Sequence, residues 1–433
     1  MSGESSALRV LLARRSPEII RPGLTPIRRL LARLGDPHLG LRVVHVAGTN
    51  GKGSVIAFLE AMLMAAGIPV AVFTSPHLHR FNERIRVDRR PIDDAQLDAV
   101  LTETLAHDPD ARTTFFELTT AAAFLYFSRC AVFDRHRGVL LLETGLGGRL
   151  DATNVVRPWL SVITALGLDH ADFLGASLAG IAREKAGILK REVPAVVAPH
   201  HAEAARVLKG VAARLQVPLT LAGRDYGLLV PEKAETGRGW WRFRDRAGSC
   251  WLPTPSLPGR HQFDNAALAV AGARRLRELG LPVTARAMRI GVASAIWPGR
   301  LERMPGAPPV WLDGAHNPDA IRALVRFLAD PGRGGGRLST VLLFSVLNNK
   351  DGATMARLLA PWVSRVFTVS LGGERSRSAD DLASLWPESG PEVVGCDSVT
   401  QALQRAREAA SPGGRVIVTG SLYLVGEVRS LLC

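Results

Sequence analysis

The 433-residue chain contains only four cysteines, Cys130, Cys250, Cys396 and Cys433, and no two of them stand at CxxC spacing. Neither a zinc ribbon nor a disulfide framework is expected, and a reducing, cytoplasmic setting fits best. No run of about eighteen apolar residues occurs, so no membrane-spanning segment is expected. Arginines interrupt the apolar residues near the N-terminus, which argues against a secretory signal. The G-x-S-x-G elbow and the Ser-His-Asp order are also missing, so acyl-enzyme hydrolysis is not expected. No internal repeat is visible, and no GxGxxG follows the β-type runs of the C-terminal third, so that part does not read as a dinucleotide binder.

What is present is an ordinary globular composition, 47% hydrophobic and 22% charged, with a formal charge of +14 from 54 Lys+Arg against 40 Asp+Glu. The length suits two or three domains. A basic surplus suits acidic ligands such as nucleotides or polycarboxylates and leaves nucleic acid open. Arginine pairs such as Arg14-Arg15 and Arg89-Arg90 read as solvated helix faces.

One stretch organises the rest: His45-Val46-Ala47-Gly48-Thr49-Asn50-Gly51-Lys52-Gly53-Ser54. An apolar β-type run, Leu41 to Ala47, precedes it. Helical spacing follows from Val55 to Ala66, stopped by Gly67-Ile68-Pro69. Strand, glycine-rich turn and helix make a phosphate cradle of backbone N–H groups and a helix N-terminus. Lys52 then reaches the β- and γ-phosphates, and Ser54 can offer its hydroxyl to Mg²⁺. The pattern departs from its usual form at Val46, where a glycine is expected, and at Gly53, which separates the lysine from the serine.

Two amphipathic helices, broken at Arg21-Pro22-Gly23, are expected between Ser6 and Leu34. Further β-type runs at Val70–Phe73, Val139–Leu142, Leu160–Ala165 and Ala195–Ala198 each end in polar or glycine-rich residues. Helices are expected over Ala95–Leu105, Glu117–Phe127 and Leu178–Ile188. This alternation predicts a parallel sheet with ligands at its carboxyl edge. From Leu219 to about Leu257 the texture becomes short and β-prone, which predicts a small antiparallel excursion. Trp240-Trp241 there reads as strand packing before base stacking. An alanine-rich helix to Leu279 follows Gly259-Arg260-His261-Gln262-Phe263-Asp264-Asn265.

A second α/β module is expected from Trp297-Pro298-Gly299-Arg300 onward. Its strands are Val310–Leu312, Val341–Phe344, Val366–Val369, Glu392–Val394 and Val416–Thr419; its helices lie around Ala320–Leu328, Thr354–Leu359 and Val399–Ala409. Gly332–Arg337 reads as a loop within it. The fold class is therefore α/β in two domains. Residues 1–296 form a P-loop parallel-sheet domain with a small β excursion, and residues 297–433 a Rossmann-like domain.

At the strand ends, Ser75, Glu143 and His170 form a mixed donor set for one Mg²⁺ beside the phosphates. Gly145-Leu146-Gly147-Gly148-Arg149 allows close backbone approach to a ligand, followed by Asp151 and Asn154. Asp313 and His316, in Leu312-Asp313-Gly314-Ala315-His316-Asn317-Pro318, are candidate nucleotide contacts, whereas Asn317 reads as a helix cap. Lys185, in Arg183-Glu184-Lys185-Ala186-Gly187, reads by pattern as a solvated helical lysine.

Taken together, HVAGTNGKGS, SPHL followed by Asn82-Glu83-Arg84-Ile85, ETGLGGRLDATN, LGLDH, REKAGI, PGRLE and LDGAHNP resemble the folylpolyglutamate synthase and dihydrofolate synthase family of the Mur-ligase group. The resemblance runs from about residue 20 to the C-terminus. It implies an ATP-dependent amide ligase that joins L-glutamate to dihydropteroate, to a reduced folate, or to both, through an acyl phosphate. By resemblance, Gly48, Thr49, Asn50, Gly51, Lys52, Gly53 and Ser54 hold ATP, with Asn265, Arg300, Asp313 and His316 as further nucleotide contacts. Ser75, Glu143 and His170 match Mg²⁺ ligands, with Ser54 a further candidate. Lys185 matches a lysine that is carbamylated in the family and helps hold a second Mg²⁺. Ser75, Pro76, His77, Phe116, Glu117 and Asp151 fall near the folate site, and Lys52, Lys185 and His316 are the catalytic candidates. Asn348-Asn349-Lys350-Asp351 departs from a more usual Asp-Lys-Asp, and Thr144 replaces a small apolar residue. The family implies a monomer acting on small molecules, without nucleic acid or membrane. A muropeptide ligase is the alternative within the enzyme class, and a non-catalytic nucleic acid binder is a distant one.

Overall fold

The computed structural model describes residues 5–14, 23–131, 133, 137–169, 177–231, 234, 239–330 and 339–433. His170, most of the Arg21-Pro22-Gly23 break and the Gly332–Arg337 loop lie outside the described residues.

The larger sheet contains β1 (Val43–Ala47), β2 (Val70–Phe73), β3 (Ile85–Val87), β4 (Arg90–Pro91), β5 (Val139–Glu143), β6 (Leu160–Ile163), β7 (Ala195–Val197) and β8 (Leu219–Leu221). Their spatial order is β4-β3-β2-β5-β1-β6-β7-β8. Strands β2, β5, β1, β6, β7 and β8 run parallel, while β3 and β4 add antiparallel at one edge. Because β5 and β2 lie on one side of β1 and β6 on the other, connections diverge at β1. The crevice beyond its carboxyl end is where such sheets bind ligands.

Both faces of this sheet are covered. Helices Lys52–Ala65, His261–Glu278 and Ala285–Ser294 bury Phe58, Met62, Phe263 and Met288 on one face. Helices Ser6–Ala13, Thr25–Arg33, Asp94–Ala106 and Phe115–Ser128 bury Leu11, Ile27, Leu101 and Phe124 on the other. Residues Gly53 to Leu63 are all buried, which explains why the central helix is apolar all round instead of striped.

The expected antiparallel excursion is smaller than its sequence texture implied. Leu219–Leu221 follows helix Ala202–Arg214 and pairs parallel with β7, so it closes the large sheet instead of opening a new one. The excursion itself is β9 (Tyr226–Leu229), β10 (Trp240–Asp245) and β11 (Gly248–Pro253). Trp241 and Phe243 face inward, and Trp241 Nε1 donates to Pro253 O at 2.8 Å. Trp240, Arg242 and Arg244 face outward, the alternation of a half-buried strand. The helix expected over 178–188 is α-helical from Leu178 to Lys185 and tightens to a 3₁₀ turn at Ala186–Ile188.

The second sheet comprises β12 (Glu302–Met304), β13 (Val310–Leu312), β14 (Thr340–Phe344), β15 (Arg365–Val369), β16 (Glu392–Cys396) and β17 (Arg415–Thr419), ordered β12-β13-β17-β14-β15-β16. Only β12 is antiparallel to its neighbour. This edge strand carries Glu302 and Arg303 in three residues, a charged edge that strand propensity does not flag. Cores lie on both sheet faces, around Phe344, Met355 and Ile417 on one and Val341, Leu403 and Val425 on the other. No helix among the described residues is long and apolar enough to cross a membrane.

Helix Ala285–Ser294 meets the central helix at a glycine. A Cβ on Gly291 would lie 2.4 Å from Met62 Cγ and 2.6 Å from Met62 N. Gly291→Ala is therefore expected to lower the thermal unfolding midpoint, with a cost of roughly 1–3 kcal/mol from overpacking, although alanine is the better helix former.

Candidate active site between the two sheets

Past β1 the chain turns through Gly48, Thr49, Asn50 and Gly51 into helix Lys52–Ala65. Gly48 has φ +154°, and a Cβ there would fall 1.8 Å from Thr164 Oγ1. Gly51 is the left-handed N-cap at φ +86°, where a Cβ would fall 2.5 Å from Asn265 Oδ1. Neither position accepts a side chain without rearrangement. The turn is tied to the end of β6: Thr49 and Asn50 N–H donate to Ala165 O at 2.9 and 3.1 Å, and Thr164 Oγ1 donates to Asn50 O at 2.7 Å. The helix N-terminus therefore opens on the crevice with its unpaired N–H groups and positive dipole end.

Lys52 folds back over the turn, donating to Gly48 O at 3.1 Å and Thr49 O at 3.4 Å. Its ammonium lies 3.9 Å from Glu143 Oε1, at the carboxyl end of β5. Glu143 Oε2 accepts from Ser75 N–H at 3.0 Å, so the ends of β1, β2 and β5 meet. Burial pushes the Glu143 carboxyl above the usual range, opposed by Lys52, the Ser75 N–H and Arg300. A buried carboxylate so incompletely compensated, at a strand end next to Ser75, suits a hard divalent cation. Ser54 is less suited: it is buried, and its Oγ accepts from Gln262 Nε2 at 3.3 Å.

Lys185 is not the solvated lysine its pattern suggested. It is buried, its Nζ donates to Gly48 O at 2.8 Å, and burial, followed by the nearby Lys52 charge, lowers its pKa to about 7. Two lysine side chains thus converge on one loop carbonyl.

The second domain supplies the opposite wall. Asp313 accepts from Leu301 N–H and Ala315 N–H, each at 3.0 Å, and so shapes the turns bearing Arg300 and His316. His316 Nδ1 lies 2.9 Å from Gly314 O, an arrangement that fits an Nδ1–H donor and leaves Nε2 as an acceptor. Burial, then Lys350, lowers its pKa to about 4, so the ring is neutral near pH 7. Asn317 caps helix Pro318–Leu328 through Ala320 N–H at 2.9 Å. Its amide also donates to Asn50 Oδ1 at 3.0 Å and to Asp169 Oδ2 at 3.1 Å. Lys350 Nζ meets Asp169 Oδ1 at 2.5 Å in a buried pair. The linker is held as well. The Trp297 ring lies where a Gly53 Cβ would sit, 2.6 Å away, with the Arg86 guanidinium 5.0 Å from its centroid.

Of the residues singled out by sequence, Gly48, Thr49, Asn50, Gly51, Lys52, Gly53, Ser75, Glu143, Lys185 and Asn265 gather around the turn, and Arg300, Asp313 and His316 face it from the second sheet. Several are architectural. Asp151 accepts from Gly145, Leu146 and Thr153 N–H groups at 2.9, 2.9 and 3.0 Å, fixing the glycine-rich loop. Glu117 completes a capping box with Thr114 at the start of helix Phe115–Ser128. The Phe116 ring packs over Gly145, where a Cβ would lie 2.6 Å from its Cζ. The Ser75–Pro76 bond is cis, and His77 Nδ1 accepts from Arg84 Nε at 2.9 Å. Asp169, Asn317, Lys350 and Trp297 lay inside or beside noted motifs, but their cross-domain bonds have no periodicity to reveal them.

A glycine-turn parallel-sheet domain facing a second α/β domain is the arrangement of a Mur-type ligase, and the family models agree. Residues 46–273 match the Mur ligase middle domain and residues 299–422 the Mur ligase glutamate ligase domain. A Bacillus subtilis dihydrofolate synthase/folylpolyglutamate synthase is 36% identical over 95% of each chain. The structure of E. coli FolC with DHPP and ADP superposes with TM-score 0.87 at 34% identity, covering 99% of this chain and 97% of that one. The Yersinia pestis bifunctional folylpolyglutamate synthase/dihydrofolate synthase with AMPPNP and Mn gives 0.86 at 32% identity, with 100% of both chains covered. The chain belongs to the folylpolyglutamate synthase/dihydrofolate synthase family.

Asn317 does two jobs that substitution can separate. Asn317→Ala is expected to cost about 1 kcal/mol or more through the lost cap together with both amide bridges. Asn317→Ser should recover the cap share only, which paired thermal unfolding measurements will show.

Proposed function

We propose that this protein is an ATP-dependent, ADP-forming ligase that adds L-glutamate to dihydropteroate, to reduced folates, or to both. The observation that carries the reading is the meeting of Lys52 and Glu143, 3.9 Å apart, below a wall bearing Arg300, Asp313 and His316. The relatives' names and bound ligands support it: DHPP and ADP in the E. coli structure, AMPPNP and Mn in the Yersinia one. In this reading the division between domains falls at residues 296/297. Its support is that Ala285–Ser294 packs on the central helix while Glu302 already pairs with β13. The protein works as a cytoplasmic monomer on small molecules.

A carboxylate is a weak electrophile, so the acid first takes the γ-phosphoryl of ATP, releasing ADP. The glutamate amine then attacks the acyl carbon, and phosphate leaves. The turn from Gly48 to Ser54 cradles the triphosphate, and Lys52 neutralises charge developing on the transferred group. Arg300 approaches from the other side, with Asn265, Asp313 and His316 completing the nucleotide contacts. Glu143, Ser75 and His170 would hold Mg²⁺, and a carbamylated Lys185 would hold a second; Ser54 could join the first only by giving up its bond from Gln262 Nε2. These ions would supply charge neutralisation on the phosphates. Ser75, Pro76, His77, Phe116, Glu117 and Asp151 line or support the pterin side. The paired domains keep water from the activated acid.

Purified protein given ATP, glutamate and either dihydropteroate or tetrahydrofolate should release ADP and form an amide product. Neither ADP nor product with any pterin would overturn the reading. Lys52→Ala is expected to lose at least about a hundredfold in turnover with its circular dichroism unchanged. The Lys185 amine reacts with CO₂ only when neutral, and its pKa is about 7. Activity should therefore fall as pH drops from 8 to 6 and recover in part with added bicarbonate. Lys185→Ala should be inactive and partly rescued by short carboxylates.

A further inference from the structure

The loop that follows β2 carries Ser75, Pro76 and His77, and its next two residues leave their own domain. Leu78 packs into the core of the second domain, against the cluster containing Val425. It lands on helix Leu422–Leu432 at a glycine: a Cβ on Gly426 would lie 2.0 Å from Leu78 O. A Cβ on Gly299 in the linker would lie 3.2 Å from Leu78 Cδ1 and 3.0 Å from Val425 Cγ1. One turn further along the helix, Ser430 Oγ donates to Gly426 O at 2.9 Å and lies 2.7 Å from His79 Nδ1, which fits an Nδ1–H donor.

The loop is stiff enough to transmit this docking. Leu78, His79 and Arg80 N–H groups all donate to the Glu83 carboxylate, at 2.8, 3.1 and 2.8 Å. At its other end, Ser75 N–H is held by Glu143. The same helix reaches the linker, because Arg429 Nε pairs with both Glu302 oxygens at 3.1 Å and Glu302 Oε2 accepts from Gly299 N–H at 2.9 Å. The helix therefore grips both the segment before Arg300 and the segment after His77.

We propose that helix Leu422–Leu432 positions the pterin-binding loop: Leu78 and His79, seated on Gly426 and Ser430, hold Ser75-Pro76-His77 in the substrate-binding conformation. Leu78, His79, Gly426 and Ser430 are positioning residues that need not touch the substrate. The inference rests on the ligase reading above, and it ties the pterin site to the joining of the domains.

The test uses the full-length protein with Gly426→Ala, and Leu78→Ala as a second variant that leaves the helix unaltered. ADP binding as in the unmodified protein certifies each fold. The KM for the pterin acid should rise about tenfold, the scale of a small overpacking or packing loss, while kcat and the KM for ATP stay nearly unchanged. Amide hydrogen exchange over residues 76–80 should quicken in both. Unmodified pterin KM and unmodified exchange in variants that bind ADP would overturn the proposal. A kcat loss without a KM change would overturn the positioning role as well. The exchange measurement needs no pterin, so failure of the docking contact is distinguishable from failure of the ligase reading, which shows as no pterin-dependent ADP release by the unmodified protein.

Discussion

The structure depends on the bond between one turn and the strand next door. Thr49 and Asn50 give their N–H groups to Ala165, and Thr164 returns a hydroxyl to Asn50. Backbone donors left inside a crevice have to be satisfied by something. Here the two that would otherwise face nothing are spent on β6, so the remaining donors at the start of helix Lys52–Ala65 are aimed outward in a fixed direction. Gly48 makes this possible by letting β1 and β6 close to a separation no side chain tolerates. The burial of the central helix on almost every side then holds that direction against the load of a second domain.

A second theme is how many charged groups near the crevice are structural. Asp151, Asp313 and Glu117 have oxygens committed to backbone N–H groups, and each shapes a turn that presents another residue. Burial pushes all three carboxyls upward, opposed by those same bonds. Glu143 differs in its neighbours: one oxygen accepts from Ser75 N–H, the other has the Lys52 ammonium nearly 4 Å away, and the carboxylate sits at a strand end beside the turn. Reading function from charge alone would have ranked the four together.

Much of this was legible in the residues. Strand ends such as Val70–Phe73 fell where expected, because a short apolar run closed by polar or glycine residues is a strong local signal. The strand, glycine turn and helix around Gly48–Ser54 and the polar residues at the ends of β5 and β13 were legible for the same reason. The failures share one physical cause, which is that tertiary context decided the outcome. Leu219–Leu221 has the texture of an excursion strand, yet an edge beside β7 was open to it. Lys185 has the pattern of a solvated helical lysine, yet that helix packs behind the turn and delivers the amine to Gly48 O. Asn317 was read correctly as a cap, while its second partner, Asn50, is 267 residues away and beyond any spacing rule.

The Asn50–Asn317 amide pair also fixes how two helices confront each other. Asn50 stands just ahead of helix Lys52–Ala65, and Asn317 is the first cap of helix Pro318–Leu328. Their bond brings two like poles, both positive, to the same spot from opposite domains. Left to themselves such ends repel, and two neutral amides are a soft way to hold them. A polyanion seated between them would reverse the sign of that encounter, turning mutual repulsion into shared attraction. The phosphates of the nucleotide would then act as mortar between the halves as well as fuel for the reaction.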